Sequence, residues 1–342
     1  MNARLTMADI GRLAGVSAST VSRALSGNPS IPHSTRERIL RIAEEHNYIL
    51  DVRAKNFRLR RSQTIATLFP YLGESRRMIS DPFYMEAMGA ITDELDHYGY
   101  DMLIARVHSD DDDWCLRYVM NKRVDGIILI DRALEDRGIA RLQELGAHFV
   151  VWGPTLPDQD YISVGGNSIA GAMMAVRHLA SLGRRTIGFV GGQPHMVETE
   201  LRRQGYQQGL AECGLPFDER LVAYTDFTPD SSHSAVDALL ARAPELDGLF
   251  LCSDFISIAA VQLLRERGRR VPDEVSVVGY DDIQLAARCD PPLTTIHQPI
   301  QDGGRLMVQK LFDLIEGRPT EPAMLPVKLV VRDSCGGRAA ST

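Results

Sequence analysis

Long apolar runs are absent from this chain. No stretch of about 18 apolar residues occurs, so no transmembrane helix is expected. The opening residues, Met1-Asn2-Ala3-Arg4-Leu5-Thr6, carry no apolar stretch of signal-peptide length, and the expected location is the cytoplasm. Cysteine is sparse. The five (Cys115, Cys213, Cys252, Cys289, Cys335) are scattered and odd in number, with no CxxC pair, which points to reduced thiols rather than a disulfide framework or a zinc site. GxSxG, P-loop and metal-ligand spacings are missing as well, and no cofactor is implied. What is present is ordinary globular material: 44% hydrophobic and 24% charged residues. At 342 residues the chain is long enough for a small domain plus one or two larger ones.

The net charge of −7 argues against nucleic acid only when averaged over the chain. Residues 1–62 hold eleven cations against five anions, a surplus of +6, which leaves −13 for the remainder. A basic head on an acidic body fits a phosphate-binding module attached to something else.

Three short helices are predicted in the head. Thr6 with Asp9 three residues on forms a capping-box pattern, and Ile10, Leu13 and Ala14 then share one face. Gly15 ends this helix and Ser17 caps the next. The second helix turns Val21, Ala24 and Leu25 inward and Ala18, Ser19, Ser22 and Arg23 outward, before Gly27-Asn28-Pro29 breaks it. The third is expected to start at Ser34, with Glu37 completing a second capping box and Ile39, Ile42 and Ala43 facing the core. Two helices across a tight glycine turn, the second opening on small polar residues, suit a helix-turn-helix whose second helix lies in the major groove. Arg23 has the geometry for a bidentate guanine contact, or is simply solvated.

The wording is more specific than the spacing. Met7-Ala8-Asp9-Ile10, then Ala14-Gly15-Val16-Ser17-Ala18-Ser19-Thr20-Val21-Ser22-Arg23-Ala24-Leu25, then Thr35-Arg36-Glu37-Arg38-Ile39 and Asn47-Tyr48 resemble the headpiece of the lactose-repressor/galactose-repressor (LacI/GalR) family. The resemblance implies that Ala18, Ser19 and Arg23 read bases, while Thr6, Ser17, Thr20 and Ser22 orient the module through caps and phosphates.

Residues Asp51 to Arg61 are basic and too short for a stable isolated helix, which needs about 12–15 residues. DNA would neutralise Lys55, Arg58 and their neighbours, so a helix that forms only on the operator is a natural switch. In the resembled family a leucine in this hinge wedges a base step open. Here Phe57 holds that place, either as a larger wedge in the minor groove or packed against the body. Leu50-Asp51 replaces the family's Pro-Asn, and Lys55 replaces its Arg.

From Thr64 the pattern becomes alternating strand and helix. Strand-like runs are Ile65–Phe69, Asp101–Ala105, Gly126–Ile130, His148–Trp152, Thr186–Val190, Leu246–Leu251 and Val275–Gly279. Helical stretches include Pro82–Tyr98, Ser168–Leu182, Glu200–Cys213 and Asp254–Arg267. This predicts an α/β body of parallel sheets with crossover helices, in two similar lobes. Ligands in such folds sit outside the carboxyl ends of the strands. Candidates there are Trp152, the Gly191-Gly192 loop, Arg202, Phe227, Ser253 and Asp281. An aromatic plane, carboxylates and an arginine suit a polyol ring, although Asp281 could cap a helix, Arg202 could be solvated and Trp152 could be core. The Asp110–Asp113 run reads as a helix cap or a metal site, with no metal-ligand spacing to support the second. The segment Pro70–Ser80 is longer than is usual in the resembled family and is expected to help shape the mouth of the cleft.

The body carries the resemblance too, in Asp81-Pro82-Phe83, Val124-Asp125-Gly126-Ile127-Ile128, Arg202 before Gly205-Tyr206, Ser276-Val277-Val278-Gly279-Tyr280-Asp281-Asp282 and Pro291-Pro292-Leu293-Thr294-Thr295-Ile296. It implies a periplasmic-binding-protein-like core with effector contacts at Arg202 and Asp281, and with Asp81, Phe83, Trp152, Phe227, Ser253 and Gln298 around them. Many members have Asn where Ser253 stands, and a hydroxyl cannot replace an amide's donors and acceptor together. The domain expectation is a headpiece over 1–50, a hinge over 51–62 and a core over 63–332. Lobe 1 covers 63–163 plus 296–325, lobe 2 covers 164–295 plus 326–332, and 333–342 form a flexible tail. The family mechanism implies a homodimer on palindromic double-stranded operator DNA, switched by a small-molecule effector expected to be a mono- or oligosaccharide; the tail has no heptad, so no coiled-coil tetramer is expected. A transport-system sugar-binding protein would need residues 1–62 as an export signal, which their charge and caps contradict. A sugar-processing enzyme finds no motif to support it.

Overall fold

A computed structural model describes residues 5–25, 28–46, 48, 61–71, 77–109, 111, 113–134 and 136–337. The chain falls into two compact units, Met1–Ser62 and Gln63–Thr342.

The first unit contains α1 (Met7–Ala14), α2 (Ala18–Leu25) and α3 (His33–Glu45). Thr6 and Asp9 form the predicted capping box, with the Thr6 hydroxyl 2.6 Å and the Thr6 amide 2.9 Å from the Asp9 carboxylate. Gly15 closes α1 at φ 66°, a left-handed conformation that needs no Cβ. Ile10, Ala14, Val21, Ala24 and Ile39 build the core of the unit. Two expectations change. Leu13 is 53% exposed, because the eight-residue α1 buries only the narrow strip of Ile10, Gly11 and Ala14. The α3 helix begins at His33 behind Pro32 with no side-chain cap, so Ser34 lies inside the first turn and Glu37 instead faces the His33 ring at 3.5 Å.

The second unit contains two six-stranded sheets. One is ordered β11-β5-β4-β3-β1-β2, from β1 (Thr64–Tyr71), β2 (Asp101–His108), β3 (Gly126–Leu129), β4 (Phe149–Trp152), β5 (Ile162–Gly166) and β11 (Ala323–Leu325). The other is ordered β12-β10-β9-β8-β6-β7, from β6 (Ile187–Gly191), β7 (Val222–Tyr224), β8 (Gly248–Leu251), β9 (Ser276–Asp281), β10 (Thr294–His297) and β12 (Lys328–Val330). Counted from its own first strand, each sheet has the doubly wound order 2-1-3-4-5. All pairings are parallel except β10 with β12. Central strands such as β3, β4 and β8 are buried along their whole length, as a sheet covered on both faces requires.

Helices α4 (Pro82–Tyr98), α5 (Arg137–Glu144), α6 (Ser168–Ser181), α7 (Val197–Glu212), α8 (Pro229–Arg242), α9 (Asp254–Glu266) and α10 (Ile300–Ile315) supply that cover. The chain crosses between lobes after β5, β10 and β11. The lobe edges therefore shift from those expected: residues 162–166 stay in the first sheet and 294–297 in the second. A cut at 163 or 295 would divide a strand and orphan its ladder groups. Strands β5, β10, β11 and β12 lie outside the expected runs: β11 and β12 have three residues each, and β5 ends on two glycines, which are poor strand formers. The helix that the Asp110–Asp113 run was expected to cap is one α turn, Asp113–Cys115, followed by a π-helical Leu116–Met120. The expectation of a flexible tail over 333–342 fails at its start: Asp333–Cys335 form a 3-10 turn, and the buried Ser334 hydroxyl donates to the Val277 carbonyl (2.7 Å) and accepts from the Thr294 amide (2.8 Å); residues 338–342 lie outside the described residues. All five cysteines are free. No helix of the described residues is long and apolar enough to cross a membrane.

Candidate functional site

In the first unit, α2 presents an exposed face made of Ala18, Ser19 and Arg23. The Ser17 hydroxyl accepts from the Thr20 amide (3.2 Å) and lies 2.8 Å from the Ser19 and 2.9 Å from the Thr20 hydroxyl. Ser22 and Thr20 are half-buried at the edge of this face, and Thr6 is exposed at the start of α1. The Thr6 hydrogen bonds, with Arg12 nearby, hold the Asp9 carboxyl below its ordinary range. The face is thus a set of short hydroxyls, a methyl and one long cation on a rigid helix. Such a surface can fit into the major groove and offer donors to phosphates and base edges. Lys55, Phe57 and Arg58 lie outside the described residues.

In the second unit, loops at the carboxyl ends of both sheets meet around a narrow interlobe cavity of about 30 Å³. Lobe 1 contributes Arg77, Phe83, Asp131 and Trp152; lobe 2 contributes Met196, Glu198, Thr199, Arg202, Phe227, Ser253 and Asp281, with Gln298 just after β10. Trp152 is at the end of β4 with its ring edge-on to Phe83 at 5.5 Å. Arg202 is the sixth residue of α7 and is buried. Its guanidinium lies 3.7 Å from the Tyr280 ring centroid and donates to the Cys252 carbonyl. Burial raises the Asp281 carboxyl above its ordinary range against the pull of Arg202, and the Gln298 amide donates to it at 2.6 Å. Burial likewise pushes Glu198 up to about 6, because Arg132 at 3.8 Å recovers only part of the lost solvation. Neither Glu198 oxygen has a hydrogen-bond partner among the described residues.

The backbone is strained at the same place. Asp131 (φ 74°), Phe227 (φ 63°) and Asp281 (φ 113°) all sit in the left-handed region, where a non-glycine residue costs about 1–3 kcal/mol. Phe227 also packs so tightly on Gly192 that a Cβ there would lie 2.2 Å from its ring. The lobes are joined beside the cavity by backbone bonds: Leu134 donates to the His195 carbonyl (2.8 Å) and Val197 to the Arg132 carbonyl (3.2 Å), flanking an isolated bridge between Ala133 and Met196.

Residues 6–51 match the family described as bacterial regulatory proteins, lacI family, and residues 176–335 match the periplasmic binding protein-like domain. The chain is 35% identical to the HTH-type transcriptional regulator CelR of Thermobifida fusca over 336 residues, covering 97% of this chain and 98% of CelR. The chain belongs to the lacI family. It is a DNA-binding transcriptional regulator of that family, and its similarity to solved members extends over the full length. A CelR–cellobiose complex matches with TM-score 0.73 at 34% identity, covering 97% of this chain and all of that one. A lac repressor dimer bound to operator and the anti-inducer ONPF matches with TM-score 0.85 at 26% identity, covering 97% and 99%.

In this lacI-family regulator the structure brings seven of the eight expected effector residues to the cavity wall: Phe83, Trp152, Arg202, Phe227, Ser253, Asp281 and Gln298. Asp81 does not line it. Its carboxylate caps α4 through the Phe83 amide (3.0 Å) and pairs with Arg77 (3.0 Å), so it acts one layer behind the wall. Arg202 is not solvated and does not begin its helix, which starts at Val197 rather than Glu200. Sequence reasoning missed Arg77, Asp131, Met196, Glu198 and Thr199. Asp131 follows β3 at a strand end and was findable by the rule applied to the others. Arg77 comes from the long Pro70–Ser80 segment, where no periodicity marks one residue above its neighbours.

Proposed function

We propose that this lacI-family regulator is a repressor that acts as a homodimer on a palindromic operator in the cytoplasm, and that a neutral sugar in the interlobe cavity sets its operator affinity. The observation that carries the effector reading is the convergence of Trp152, Arg202, Asp281 and the orphaned Glu198 on one enclosed space. Apolar ring faces want an aromatic wall, and sugar hydroxyls both donate and accept. Glu198 needs donors, and Asp281 with Gln298 offers an acceptor and an amide. Charge argues against an anionic ligand. Three guanidiniums, Arg77, Arg132 and Arg202, face four carboxyls, Asp81, Asp131, Glu198 and Asp281, so no positive charge is left over, and burial raises Glu198 and Asp281 so that the surplus carboxyl can hold a proton rather than call for a cation. The relative solved with cellobiose supports the same class.

Differential affinity then does the regulatory work. A sugar that binds one arrangement of the lobes more tightly shifts the population toward it, and the headpieces report the shift on DNA. Ala18, Ser19 and Arg23 would read bases; Thr6, Ser17, Thr20 and Ser22 would set the docking angle; Lys55, Phe57 and Arg58 would engage the minor groove and backbone at the operator centre. Binding rather than turnover is the task of the cavity. The test is a thermal-shift screen of mono- and disaccharides followed by operator titration with each hit. A ligand of the native state raises the apparent melting temperature, by an amount that grows with the logarithm of one plus the ratio of free ligand concentration to Kd. Failure of every sugar to move either the melt or operator affinity would sink the effector reading and leave the DNA reading intact.

A further inference from the structure

We propose that Arg77 is a movable partition between an inner and an outer part of the interlobe cleft and so sets the length of the sugar chain that this cleft accepts. The inference rests on the sugar reading above. A second, outer space adjoins the first; both are narrow with Arg77 in place, and the two share the walls Arg77, Asp131, Met196 and Phe227. Arg77 stands between them. Its guanidinium is sandwiched between the Tyr84 ring (4.1 Å) on lobe 1 and the Phe227 ring (4.0 Å) on lobe 2. Its Nε lies 3.0 Å from the Asp81 carboxylate and its Nη1 3.0 Å from that of Asp131.

The consequence falls on Phe227. Its ring packs closely on Gly192 and lies under the Arg77 guanidinium. With Arg77 in place the ring is not a stacking platform for any ligand, and a single sugar ring must use the inner space beside Trp152. Swinging Arg77 out uncovers Phe227 and joins the inner space to the outer one, where the next aromatic wall is Tyr71, with the Arg106 guanidinium 4.4 Å from its ring centroid. Arginine suits this task because a long side chain on a short anchor can move without the backbone, and because the planar group closes the gap flat. A two-ring sugar therefore has to displace a paired, stacked cation that a one-ring sugar leaves alone.

The test compares D-glucose with cellobiose, maltose and lactose by calorimetry on the full chain, as wild type, Arg77→Met and Arg77→Ala. Removing the guanidinium removes the displacement cost, so the disaccharide-to-monosaccharide affinity ratio should rise about tenfold or more in both variants, the range of a desolvated cation–π contact and its ion pairs. Tyr71→Ala should lower disaccharide affinity and leave the monosaccharide unchanged. Should Arg77→Ala not fold, Arg77→Lys keeps the charge but cannot stack flat, and carries the same direction at smaller amplitude. An unchanged ratio, or one shifted toward the monosaccharide, overturns the partition. No binding of any sugar to wild type or variants overturns the sugar reading itself, which is a different result.

Discussion

The headpiece and the core hold their candidate contact residues in opposite ways. On α2, Ala18, Ser19 and Arg23 are exposed, and the five-residue core beneath them is built from other positions. In the cleft, Arg202, Asp281 and Gln298 are 3–6% exposed and hydrogen-bonded or stacked on protein groups. A surface reader can lose a contact residue and keep its fold. A cleft built from buried charges cannot, because each charge solvates the next. The difference teaches where recognition and stability are separable in one chain.

Four substitutions sharpen that contrast or break it. Arg202→Ala should have the largest effect: removing one partner of a buried charge pair costs about 3–5 kcal/mol, read as a lower urea midpoint for the core. Ile10→Ala should cost about 2–5 kcal/mol in the headpiece alone, abolishing operator binding while the core melt and sugar binding stay put. Parallel losses in both units would erase the division between them. Arg23→Ala should cost about 1–3 kcal/mol of discrimination between operator variants without moving the melt. Hinge Arg58→Ala, by comparison, should mainly flatten the salt dependence of binding. Equal effects of the two on base preference would count against Arg23 as a base reader.

Glu198→Gln should have the smallest effect, and the sign depends on pH. Burial raises the folded-state pKa from 4.5 to about 6, so the folded chain holds the proton more tightly than the unfolded one. Stability then falls as pH rises through the window from about 4.5 to 6, by at most about 2 kcal/mol. Glutamine removes the penalty: the variant should melt higher than wild type at pH 7, with the gap closing below pH 4.5. A gap that persists at low pH would point to packing rather than charge.

The contrast also explains what was readable in the sequence. The headpiece is local: Thr6 to Arg23 span two helices, and caps, periodicity and a basic surplus all fall within one short window. The cleft is assembled from the ends of strands in two sheets, so Trp152, Phe227 and Asp281 were legible only because strand ends attract ligands. The partners that complete it were not. Glu198 sits in the first turn of α7, where acids are common for the sake of the helix dipole. Arg77 becomes distinctive only when folding places it between two rings from different lobes. The crossover strands β10 and β11 are short, and three or four residues carry too little periodicity to be told from loop.

The backbone stitch between Ala133 and Met196 bears on time as well as on equilibrium. Its bonds hold peptide groups rather than side chains, so no substitution of a cleft residue removes them. A ligand of the proposed kind that leaves the cleft on this side does so only when they part. Its residence time is then governed by the opening rate of the stitch, and two sugars of quite different affinity would dissociate at similar speed while differing in how fast they are captured.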